Sequence, residues 1–115
     1  MFKHILTQAA PVSEPFMAGP YYDGDDFGTA YIRGAFGAGG AAVTLEACPV
    51  STTHAEYDAE NDWFTVPDIS VTDKGTVQPG VKAALFRWRV TDADGATSII
   101  IRTLTKANGR DGLGV

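Results

Sequence analysis

The sequence holds a single cysteine, Cys48, among 115 residues. An intrachain disulfide framework and a cysteine-built zinc site both need more thiols, so both are excluded. Histidine is nearly as scarce, with His4 and His54 alone. No HxxxH, CxxC or GxSxG spacing occurs; these are patterns that place metal ligands or a nucleophile. No apolar run approaches the roughly 18 residues of a membrane-spanning helix. Bases are few: 9 Lys and Arg stand against 14 Asp and Glu, for a formal net charge of −5. That balance argues against a protein whose work is gripping a phosphate backbone. Helical periodicity, heptads and internal repeats are lacking as well.

Strand formers and turn formers are abundant. There are 12 Thr, 9 Val, 6 Ile and 12 aromatic residues, with 13 Gly and 6 Pro spread between them. This composition predicts an all-β domain with many turns. The length fits one domain with one modest core.

Residues 1–28 are expected to form an extended arm. Pro11, Pro15 and Pro20 lie here, and proline cannot donate to a central ladder. Yet Phe2, Ile5, Leu6, Val12, Phe16, Met17, Tyr21 and Tyr22 make the stretch too apolar for a solvated linker. It should lie against its own domain or against a neighbouring subunit. Met1–Leu6 carries one lysine and an apolar stretch too short for a secretory signal. Assembly in a cytoplasm is the expectation, and a lone cysteine fits that setting.

Residues 29–105 read as the domain proper. Thr29–Phe36 and Ala41–Cys48 are expected strands, joined as a hairpin through Gly37–Gly40. Gly34 marks a bulge or a close backbone approach. In the second strand Val43, Leu45 and Ala47 face one way, and Thr44 and Glu46 the other. Residues 49–62 form a polar connection. Trp63–Val66 and Ile69–Thr72 follow as two short strands, broken at Pro67-Asp68, and Thr76–Gln78 as a short edge strand. A final hairpin pairs Val81–Thr91 with Ala96–Thr105 around the Asp92–Gly95 turn. Phe86, Trp88 and Val90 share a face, opposite Leu85, Arg87 and Arg89. The run Ile99–Ile101 is apolar on both faces, which suits a central strand. Residues 106–115 are Gly-rich and expected to be a flexible tail. Strands at this spacing predict a small antiparallel β-sandwich, jelly-roll or Ig-like.

Several clusters invite a chemical reading. Asp23, Asp25 and Asp26 could hold Ca²⁺, but they lack the EF-hand spacing and a bidentate Glu; an Asp/Gly turn is the commoner explanation. Glu56, Asp58, Glu60 and Asp62 alternate along the polar connection. They could bind Ca²⁺ or a basic partner, or simply keep a loop solvated and discourage edge pairing. Arg87 and Arg89 could pair with acids of another subunit, as their rigid fork suits carboxylates, or face solvent. Of Trp63 and Phe64, one should enter the core, and the other should anchor a partner or pack under the 49–62 loop. Gly34, Gly37, Gly39 and Gly40 lie between strands and do not make a dinucleotide fingerprint. No catalytic set and no cofactor site is expected.

The order Tyr31-Ile-Arg-Gly-Ala-Phe-Gly-Ala-Gly-Gly, Val43-Thr-Leu-Glu-Ala-Cys-Pro49, Trp63-Phe-Thr-Val66 and Phe86-Arg-Trp-Arg-Val-Thr-Asp-Ala-Asp-Gly-Ala-Thr-Ser98 resembles small virion structural proteins of tailed bacteriophages. The resemblance covers residues 29–105 and departs at 49–62, where the loop is longer and more acidic. It implies a non-enzymatic capsid decoration or cement subunit without a cofactor. Such a subunit is often a homotrimer seated on the major capsid protein or a neighbouring virion protein, with no nucleic-acid or membrane partner. A neck, tail or host-attachment module is the alternative. The interface expected from this reading is Phe2, Ile5, Leu6, Phe16, Tyr21, Tyr22, Trp63, Arg87 and Arg89.

Charge is uneven along the chain. Residues 1–62 carry 9 acids and 2 bases, and residues 63–115 carry 5 acids and 7 bases. Acidic and basic parts of neighbouring copies are therefore expected to pair around a ring or on a shell.

Overall fold

The computed structural model describes residues 2–17, 25–26, 28–36, 42–91 and 98–104. Every regular element among them is a strand: β1 (Phe2–Thr7), β2 (Asp25–Asp26), β3 (Thr29–Gly34), β4 (Ala42–Cys48), β5 (Phe64–Val71), β6 (Gly75–Val77), β7 (Lys82–Ala83), β8 (Leu85–Thr91) and β9 (Ser98–Leu104). All pairings are antiparallel. Tyr21, Tyr22, the Gly37–Gly40 and Asp92–Gly95 turns and the expected tail lie outside the described residues.

A first sheet has the order β1-β9-β3-β6, a second has β5-β4-β8, and β2 pairs with β7 alone. The triple isoleucine sits where its two-faced apolarity suits it, since β9 is flanked by β1 and β3. Ile99 and Ile101 are buried inward, while Ile100 is half-buried on the other face. β6 is an edge strand, as its brevity beside Pro79 suggests.

Two expected hairpins are not hairpins. β3 and β4 lie in different sheets, and so do β8 and β9. Each connection carries the chain from one sheet to the other. A strand with one apolar face shows the same alternation whether the next strand lies beside it or opposite it across the core. Glycine-rich and Asp-Gly turns serve either path.

One strand also replaces two. β5 continues through Pro67, with Thr65 opposite Glu46 and Ser70 opposite Thr44. Residues 66–69 therefore stand opposite Leu45 alone, a wide bulge. Because β5 is the edge of its sheet, Pro67 costs no ladder bond.

Residues 2–17 are built into both sheets. β1 forms an edge of the first sheet, with Phe2 opposite Thr103 and Thr7 opposite Ser98. The chain then crosses and runs antiparallel along β8, with bridges from Val12 to Arg89 and from Phe16 to Phe86. The Ser13 N–H donates to the Trp88 carbonyl and the Phe16 N–H to the Phe86 carbonyl, at 2.8 and 2.9 Å. The Trp88 N–H in turn donates to the Ser13 hydroxyl at 2.8 Å, so a side chain completes the ladder. Residues 2–17 thus lie on their own domain, as a strand of the first sheet and a bridged segment along β8.

The inner faces of both sheets feed one core. Leu6, Ala30, Ile32, Ile99 and Ile101 come from the first sheet, and Val43, Leu45, Val66, Phe86 and Trp88 from the second. The Trp88 indole N–H donates to the Thr103 hydroxyl of β9 at 3.2 Å, a buried hydrogen bond between the sheets. Gly34 (φ 143°) ends β3 against β9: a Cβ there would meet the Ser98 carbonyl oxygen and lie 2.9 Å from the Ile99 Cα. Glycine permits both the φ and the approach.

Candidate interaction surfaces

The outer face of the second sheet is organised around one carboxylate. Directly opposed residues share a face, and Glu46 opposes Arg87. Its Oε1 accepts from Arg87 Nε at 2.7 Å and from Arg89 Nε at 3.0 Å. Glu46 keeps only 12% of its side chain exposed, so the ions are partly shielded from screening water. The Trp63 ring lies 4.1 Å from the Arg87 guanidinium carbon, a cation–π contact. Both arginines thus find their acid within the chain.

Loop 49–62 is folded against this face. The Trp63 indole N–H donates to the Tyr57 hydroxyl at 2.9 Å. The Cys48 thiol is fully buried and donates to the Val50 carbonyl at 3.0 Å. Burial pushes its pKa up, which keeps it an inert thiol. Further along, Asp58 Oδ1 accepts from the Glu60 and Asn61 N–H groups, and its Oδ2 from the Asn61 amide. Asp62 Oδ2 accepts from the Asp58 N–H at 2.7 Å. The bonds that the Asp58 carboxyl accepts, led by that from the Asn61 amide, hold it below its ordinary pKa. Alternation predicts four carboxylates in a row; instead two of them tie the loop, and Glu56 and Glu60 stand exposed. Among the described residues no group of three or more His, Cys, Asp or Glu has an arrangement that could hold a metal ion.

Neither Trp63 nor Phe64 enters the core. Trp63 packs beneath the loop on the outer face. Phe64 opposes Ala47 on the inner side of the edge strand, yet 58% of it is exposed. It borders a groove of about 210 Å³ with Pro49 and Val81.

The outer face of the first sheet is different. Its four strands contain no acid. The register aligns Lys3, Arg102, Tyr31 and Thr76 in one row, and Ile5, Ile100 and Arg33 in the next. Ile5 is 54% exposed and Tyr31 50%. A shallow groove of about 490 Å³ runs here, lined by Tyr31, Arg33, Lys74, Thr76 and Arg102 among others. No carboxylate among the described residues forms an ion pair with these cations.

The expected interface residues therefore separate. Leu6 and Phe16 are core residues, at 1% and 3% exposure. Phe2 is half-buried beside Phe16, with ring centroids 5.5 Å apart. Ile5 alone among the described apolar residues expected in the arm is largely open. Lys3, Arg33, Arg102 and Tyr31 are surface features that the expected interface omits. Their signal is absent from linear order, because β1, β3 and β9 come together only through the sheet.

No family model, curated protein or solved structure matches the chain.

Proposed function

We propose that this chain is a non-enzymatic structural protein of a tailed-phage virion, a decoration or cement subunit that stabilises a shell by docking on capsomers. Two sheets sharing one core are read as a small antiparallel β-sandwich. The observation that carries this reading is the outer face of the first sheet. There Ile5 and Tyr31 stand half open among Lys3, Arg33 and Arg102, a mixture of apolar anchors and charge suited to a protein partner. The major capsid protein is the partner this reading assigns. A neck, tail or host-attachment module remains the alternative use of such a domain.

Immunogold labelling of phage particles with antibody against the purified chain tests the proposal. Gold over the head surface is expected. Gold confined to neck or tail overturns the decoration reading in favour of the alternative, and particles without gold overturn both.

A further inference from the structure

The basic face and the acidic loop lie on opposite sides of the domain. One is the outer face of the first sheet, and the other sits on the outer face of the second, held there through Trp63 and Cys48. We propose that the groove at Tyr31, Arg33 and Arg102 receives the acidic 56–62 loop of a second copy of this chain, joining copies head to tail.

Three observations support that occupant. First, the groove carries an electrostatic cost that an acid would relieve. Lys3 and Arg102 are directly opposite on neighbouring strands, and like charges so placed repel. Arg33 and Lys74 add to the same field. The nearest described acid in sequence, Asp73, accepts from the Lys74 backbone N–H at 2.7 Å. Second, the loop is a preformed ligand. Asp58, Asn61 and Asp62 fix its backbone, so little ordering entropy opposes docking. Glu56 and Glu60 remain exposed on it, and arginine forks bind carboxylates in well-defined geometry. Third, Arg87 and Arg89 of the other face already share Glu46, whereas the cations of the groove and the exposed Glu56 and Glu60 of the loop have no ion pair among the described residues.

Two different surfaces meet in such a contact. It is heterologous, and it extends copy by copy unless a rotation closes a ring. The inference deepens the assembly reading by naming the self-contact, and it concerns the purified chain alone.

Light scattering coupled to size exclusion provides the test, with the full chain at 50 mM and 500 mM salt. The mass should rise with concentration at low salt and fall toward monomer at high salt. Arg33→Gln/Arg102→Gln and Glu56→Gln/Glu60→Gln should each be monomeric, with melting temperatures no lower than that of the wild type. Mixed in equal amounts, they should give a species of twice the monomer mass. One variant keeps an intact loop and the other an intact groove, so a single productive contact is left. A face-to-face contact would not produce that species. A wild-type chain that stays monomeric at low salt, a mixture that stays monomeric, or neutralised variants that still associate on their own each overturn the proposal. None of these outcomes bears on whether gold decorates the particle, so the two readings fail separately.

Discussion

The indole N–H of Trp88 on β8 donates to the hydroxyl of Thr103 on β9, and both side chains are fully buried. This bond fixes the two sheets at one depth in the core. Replacing Thr103 by valine keeps the volume and removes the acceptor. A loss of about 1–2 kcal/mol in urea unfolding is expected, with Thr103→Ser closer to wild type. An unchanged midpoint for Thr103→Val would show that the bond contributes nothing.

Glu46 answers two arginines at once. Glu46→Gln leaves Arg87 and Arg89 on one face without that anion. The site is mostly shielded but not closed, with Arg89 at 38% exposure, so the cost lies between exposed and buried pairs, about 2 kcal/mol. The remaining cation–cation repulsion is screened by salt. Urea titrations at low and high ionic strength should therefore show a smaller loss at high salt.

His4 connects stability to pH. It packs with Phe2 and Phe16, at centroid distances of 6.2 and 5.0 Å. Its Nε2 is buried with no hydrogen-bond partner, and burial lowers its pKa. The unfolded chain thus takes up this proton at higher pH than the folded one. Above about pH 6.5 both forms are neutral and His4 adds no pH dependence. As pH falls below that value, protonation favours the unfolded chain and stability drops until the folded pKa is reached. Thermal melts at pH 5 and pH 7.5 should separate for the wild type. His4→Phe should narrow the gap, chiefly by raising the pH 5 value.

Gly34 tolerates no side chain. Gly34→Ala asks a Cβ to sit against the Ser98 carbonyl and Ile99 Cα at a φ of 143°. A loss of at least about 2 kcal/mol is expected, while substitution at open Gly80 (φ 67°) should cost only its backbone strain. Equal melting temperatures for the two alanine variants would contradict this.

Period-two alternation makes β4 and β8 legible through Val43, Leu45 and Ala47 and through Phe86, Trp88 and Val90, and the two-faced apolar run Ile99–Ile101 marks β9 as a central strand. Glycine inside a strand signals a bulge or a close approach, and at Gly34 the structure shows the close approach to Ser98 and Ile99. Strand partners were not legible. Val90 and Ile99 face each other's sheets rather than pairing, and no local pattern records that difference. Pro67 misled for a related reason, since proline breaks a central strand but not a bulged edge. The basic groove was hidden because Lys3, Arg33 and Arg102 are far apart in sequence, and only the order β1-β9-β3 assembles them. Arg87 and Arg89 drew attention as neighbours, yet their partner Glu46 lies some forty positions earlier.

The pairing of Phe2 with Thr103 has a consequence for how the chain is made. β1 is made well before its lateral partner β9, with every other strand of both sheets between them. In between, β3 also waits for β9, and β4 waits for β8. Until β8 and β9 are made, β1 has no lateral partner and β3 and β4 each keep an open edge, a state that folds slowly and invites mispairing. The first sheet therefore cannot close until β9 has been made, because β9 is the strand that joins β1 to β3.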